Sequence, residues 1–111
     1  DRIHYGRLRA LQRFYRERKM QGVMSELLVS DDLFRSDIEL AYAYSWGMTF
    51  FFSEKMPTEY RQFLQRDGAR EDFAKHSGKD RVTEFAGAFG SDIAGIESRM
   101  KRFILSLDAN K

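Results

Sequence analysis

The sequence predicts an all-α fold, a single compact domain of about five to six helices around a central apolar helix over residues 38–54. Three observations carry this. The segment Ile38 to Phe52, IELAYAYSWGMTFFF, has twelve apolar or glycine residues in fifteen, with Glu39, Ser45 and Thr49 the exceptions. A helix apolar nearly all round is buried on several sides at once, so this one is the spine on which other helices pack. The remaining apolar residues recur at three- and four-residue spacing, and no segment sustains the period-two alternation of a strand. Finally, 111 residues with 42% hydrophobic content and ten phenylalanines suffice for one core but not for two.

The elements follow in order. Leu8, Leu11 and Tyr15 form a helical stripe, and arginines fill the outer face. After Gln21-Gly22 comes a short apolar set, Val23, Met24, Leu27 and Leu28, which ends at Ser30-Asp31-Asp32. Ser36 or Asp37 can cap the spine helix, because either side-chain oxygen accepts from its free backbone N–H groups. Pro57 suits the first turn of the next helix, where a missing N–H costs nothing, and that helix is expected to bury Tyr60, Phe63 and Leu64. It either runs through Gly68 or kinks there before Phe73. HSGKD (76–80) reads as a loop whose Asp80 caps a helix carrying Val82, Phe85, Ala86 and Phe89 on one stripe. Gly90 is placed for a left-handed C-terminal cap. Ser91 then starts the last helix, which repeats Ile93, Ile96, Met100, Phe103, Ile104 and Leu107. Core positions for Trp46 and Phe89 follow from this layout.

Composition excludes several classes of function. With no cysteine there is no disulfide framework, thiolate zinc site or thiol nucleophile. The spine is shorter than the roughly 20 apolar residues that cross a bilayer, so no membrane insertion is expected, and no run reads as a signal peptide. The chain opens at Asp1 without a methionine, as expected of a piece of a longer protein. Net charge is +2 but unevenly spread: residues 1–20 hold seven basic side chains against Asp1 and Glu17. A basic block on a near-neutral domain marks a partner surface.

Candidate chemistry is sparse. A zinc peptidase helix needs two histidines one turn apart with a glutamate between them, whereas His4 and His76 stand far apart and each lacks a histidine or cysteine neighbour. No metal site, cofactor site or catalytic set is therefore expected in this chain. The adjacent acids Asp31-Asp32 and Glu71-Asp72 suit helix caps and solvent-facing turns better than paired acid–base work in a cleft. Glu39, in the first turn of the spine, suits its helix dipole. Ser45 lacks a GxSxG context, and Gly87, Gly90 and Gly95 form neither a P-loop nor a dinucleotide fingerprint. Tyr42, Tyr44 and Trp46 at helical spacing suit core better than a ligand groove.

The feature that reaches a partner without a pocket is the first helix. Arg9, Arg13 and Arg16 fall at i, i+4 and i+7 and share a face, with Arg2, Arg7, Arg18 and Lys19 adding to the field. Such a stripe can neutralise phosphates without reading sequence. The small overall charge and the lack of a recognition motif weigh against nucleic acid and favour docking on an acidic protein surface.

Several segments, in order, resemble one family. AYAYSWGMTFFF (41–52) resembles a helix downstream of the active site in bacterial peptidase-MA-like, gluzincin-type proteins. PTEYRQFL (57–64) is similar to that family's proline-led helix, and SELLVSDDLF (25–34) to its leucine-pair, acid and phenylalanine run. RVTEFAGAFGSDIAGIESRMKRFILSL (81–107) resembles its closing pattern, on Phe85, Phe89, Gly90, Asp92, Ile96 and Glu97. The resemblance implies zinc-dependent peptide hydrolysis by a bacterial protein, with export compatible with it. An HExxH helix and a later glutamate ligand would both precede this chain, so no catalytic residue carries over. On this view the chain is the non-catalytic helical C-terminal module of a zinc-metallopeptidase-like protein, and its partner is the catalytic remainder. The alternative is a stand-alone adaptor that binds nucleic acid or an acidic protein through the arginine face.

The Phe89-Gly90-Ser91-Asp92 joint needs no family to explain it. Gly90 can take a positive φ, and Ser91 or Asp92 can accept the first N–H groups of the next helix.

Overall fold

The structure, a computed structural model, describes residues 3–68 and 78–109, with side chains over 3–65 and 81–109. Among the described residues there are helices only: α1 (Tyr5–Glu17), α2 (Val23–Val29), α3 (Asp32–Ser36), α4 (Ile38–Lys55), α5 (Pro57–Gly68), α6 (Gly78–Phe89) and α7 (Ile93–Ser106). The central apolar helix is α4, and α1, α2, α3, α5 and α7 all pack on it. It starts where Asp37 accepts from the Leu40 N–H at 3.3 Å, so of the two predicted caps the aspartate serves. It ends at Lys55, one residue beyond the expected boundary, and Met56 joins it to α5.

The tightest crossing in the core lies at Gly47. A Cβ there would stand 2.5 Å from Leu11 Cδ2 of α1 and 3.0 Å from Met100 Cε of α7. Leu11 and Met100 are themselves fully buried, so neither can swing aside into solvent. The absent side chain is what lets α1 and α7 converge on the spine.

A second cluster ties α5, α6 and α7 to the C-terminal half of α4. Phe52 meets Phe89 with ring centroids 4.5 Å apart and Phe85 at 5.8 Å, while Phe85 stacks on Phe89 at 4.5 Å. Phe63 of α5 sets its edge against Phe85 at 5.8 Å, and Phe103 of α7 closes on Phe51 at 5.7 Å. Aromatic pairs at such separations add stabilisation beyond the area they bury. At the corner into α7, Gly90 has φ +94°, the left-handed conformation expected of it. Asp92 accepts from the Gly95 N–H at 3.0 Å.

The structure departs from the sequence reading at several points. The last helix starts at Ile93 with Asp92 as its cap, because Ser91 lies one residue too early to reach the first turn. Helix α3 was not expected; five residues are too few to show a period, and buried Leu33 with Ser30 Oγ accepting from Asp32 N–H holds it. Helix α6 begins at Gly78, so residues 78–80 are helical and Asp80 lies inside the first turn rather than at the cap. Leu64 is 48% exposed although it was expected inside. Trp46 is only partly buried, its ring lying flat on the buried Phe50 at 5.3 Å. Phe73, Glu71, Asp72 and His76 lie outside the described residues, as does the choice between a kink and a straight run beyond Gly68.

Two outcomes follow for stability. Gly47→Ala is expected to lower unfolding free energy by about 1–3 kcal/mol through overpacking, read by urea denaturation; an unchanged midpoint would show that the crossing has slack. Phe89→Ala should cost about 3–5 kcal/mol as a buried aromatic. Trp46→Ala should cost less, about 1–3 kcal/mol, since part of its ring stays in water. Thermal melts that reverse this order would contradict the packing described.

Candidate functional site

The predicted partner face, Arg9, Arg13 and Arg16, does line one side of α1. It borders a groove of about 750 Å³ between α1 and the end of α7 with the segment that follows, lined also by Ala10, Gln12, Leu105 and Leu107. Its guanidinium groups are not equally available. Arg13 pairs with Glu39 at the start of α4 and with Glu17 at 3.7 Å. Arg9 donates to the Ala109 carbonyl at 3.2 Å, leaving most of its donors uncommitted. Arg16, exposed at the last turn of α1, makes no ion pair or hydrogen bond with the described residues. Neighbouring cations are drawn into the fold. Arg18 bonds Asp37 at 2.7 Å and lies over the Phe14 ring, and Arg7 lies over Tyr42 while donating to its carbonyl. The Arg18 guanidinium beside Asp37 holds that carboxyl below the usual range, with the bond to the Leu40 N–H assisting.

Gln12, which the sequence reading passed over, closes the end of α7. Its side-chain amide donates to the carbonyls of Ile104 and Leu107, both at 2.9 Å. A signal for it existed: position 12 falls within the buried stripe of Leu8, Leu11 and Tyr15, where a polar residue must find partners.

Glu97 is where a partly buried acid meets a tyrosine. Its carboxylate accepts from Gly22 N–H at 2.9 Å, Met24 N–H at 3.0 Å and the Tyr44 hydroxyl at 3.3 Å. It thereby fills the N-terminus of α2, whose unpaired N–H groups favour an anion. Gly22 there has φ +87°, and no side chain of its own element caps α2. Tyr44 is fully buried; Tyr15 is nearly so, and its hydroxyl finds no partner in hydrogen-bonding geometry although the Tyr44 ring lies 6.4 Å away. Burial pushes both phenols well above their ordinary range, and the Glu97 charge adds to this. Neither hydroxyl can act as a base near neutral pH. The cluster joins α2, α4 and α7 mechanically.

The other predicted residues form no single site. Phe85 and Phe89 belong to the core, Trp46 to its edge, and Gly90 and Asp92 to the α6–α7 corner. His4 caps α1, its Nδ1 accepting from the Arg7 N–H at 3.1 Å. Asp31 faces Arg81 at 3.8 Å and Asp32 faces Arg35 at 3.5 Å. Tyr42 is 47% exposed, with Phe34 edge-on at 5.2 Å. Among the described residues no three His, Cys, Asp or Glu side chains are grouped to hold a metal ion, and no helix is long and apolar enough to cross a membrane.

One partly apolar surface was not expected. Ile38, Tyr42, Ser45 and Thr49 form one line along α4 at i, i+4, i+7 and i+11, and Ile38 is 59% exposed. Beside it a mainly apolar groove of about 220 Å³ runs between α2–α3 and α5, lined by Leu27, Phe34, Met48, Phe52, Tyr60 and Phe63.

Replacing Glu97 tests the cluster. Glu97→Ala leaves two backbone N–H groups and a buried phenol without their acceptor, an expected loss of about 2–3 kcal/mol. Amide exchange at Met24 should speed up in the same variant; an unchanged Met24 rate would sever the proposed link between α7 and α2.

Searches of curated proteins and of solved structures each return no significant match. The family described as "Protein of unknown function (DUF1570)" matches over residues 1–74, from α1 through the end of α5 and beyond. That span covers most of the chain and includes the whole central helix, so this all-α domain belongs to the DUF1570 family.

Proposed function

We propose that this chain is a non-catalytic helical module of a zinc-metallopeptidase-like protein, one that buttresses the catalytic region and forms a wall of its substrate cleft. One observation carries the reading. The spine helix α4 is apolar on nearly every side, yet the line Ile38, Tyr42, Ser45 and Thr49 and the adjoining apolar groove are left open by the described residues. Apolar surface of this kind marks a contact with another protein region. The ordered resemblance of residues 25–34, 41–52, 57–64 and 81–107 to peptidase-MA-like proteins supplies the identity of that region. The polar groups of the domain support the same division of labour: Glu97, Asp37 and Gln12 all hold helices together. Hydrolysis, zinc binding and substrate recognition belong to the remainder of the protein.

The test uses the full-length protein and this chain alone. Ile38→Lys and Thr49→Lys are expected to leave the melting temperature of the isolated domain unchanged, since both side chains are exposed. In the full-length protein they should lower thermal stability and reduce zinc-dependent peptide hydrolysis by about tenfold or more, as charges placed in an apolar contact do. Peptide hydrolysis by the isolated domain, or a full-length protein without an HExxH helix, would overturn the reading.

A further inference from the structure

We infer that the groove between α1 and the end of α7 with the segment that follows is a docking site for an acidic, partly apolar polypeptide segment. This surface is separate from the open face of α4 and does not rest on the peptidase reading. The groove brings together Arg9, Arg13 and Arg16 along one wall and the apolar side chains of Leu105 and Leu107 along the other. Gln12 of its lining already covers the Ile104 and Leu107 carbonyls that would otherwise compete for a ligand's donors. Two cations face the groove with donors to offer. Arg16 has none of its donors committed to the described residues, and among those residues Arg9 holds only the Ala109 carbonyl. Arg13 is tied back to Glu39 and contributes field rather than a free fork.

The chemistry of the lining selects the occupant. Single-stranded nucleic acid bound without sequence readout stacks its bases on aromatic faces beside a positive track. The lining contains no aromatic residue. A protein segment needs none. Its Asp or Glu side chains can take the planar guanidinium donors of Arg9 and Arg16 in paired hydrogen bonds. An apolar side chain between them can cover Leu105, which is 41% exposed. Charge complementarity of this kind governs association rate and selectivity against basic partners.

The experiment is a titration of the isotope-labelled chain with a fluorescein-labelled twelve-residue peptide of alternating glutamate and leucine, with a twelve-nucleotide oligothymidylate as comparator. Saturable peptide binding is expected, with chemical-shift changes confined to residues 6–16 and 105–109 and affinity falling as salt rises. Arg16→Gln, at an exposed position, should weaken binding by about tenfold, the size of one charged hydrogen-bonding partner. Leu105→Ser should weaken it without altering the salt dependence. Lys55→Gln, outside the groove, should leave affinity unchanged. Tighter binding of the oligonucleotide, shift changes outside the groove, or equal affinity of wild type and Arg16→Gln would each overturn the assignment.

Discussion

A helix with apolar side chains on nearly every side must be surrounded, and the arrangement of this domain follows from how α4 is covered. Helices can approach its axis closely only where it presents little side chain. Gly47 supplies that place, with Leu11 from one neighbour and Met100 from another set into the space a methyl group would fill. From there the helix is wrapped by aromatic rings along its C-terminal half, where Phe51 and Phe52 meet Phe103, Phe85 and Phe89. Close packing of rigid rings leaves few alternative arrangements, so the spine sets the positions of α6 and α7 as well as its own.

Burying such a helix also forces its polar exceptions to be answered. Tyr44 is the fully enclosed one, and its hydroxyl is met by Glu97 from α7, whose carboxylate simultaneously receives two N–H groups of α2. One acid thus satisfies a buried phenol and a helix terminus that has no cap of its own. This explains why a glutamate sits at the partly buried edge of α7, where a leucine would pack as well but leave three donors unanswered. Arg13 and Arg18 act similarly from α1, engaging Glu39 and Asp37 at the start of the spine. The basic block at the N-terminus therefore also fastens α1 to α4, through Arg13 and Arg18.

These assignments give the domain a mechanical character. The Glu97 carboxylate is directed at backbone and at Tyr44, and burial raises the pKa of both enclosed phenols. What it offers outward are two surfaces of different chemistry: an apolar line with a groove along α4, and a cationic groove beside α1. The first kind of surface suits burial against a partner and the second suits its orientation.

Amino-acid order by itself determined the all-α class, the central helix, the proline-led start of α5 and the Gly90–Asp92 corner. Each of these rests on local chemistry: continuous apolarity, a ring-locked φ, a residue without Cβ followed by a short acid. It also determined that Arg9, Arg13 and Arg16 share a face, since helical spacing alone places them there. Tertiary structure decided the rest. Which neighbour takes each arginine, that Glu97 serves α2 from 73 residues away, that Gln12 closes α7, and that Leu64 and Ile38 stay open all depend on contacts between distant segments. Side-chain pattern marks which residues want burial, but only the packing of whole helices decides which of them obtain it.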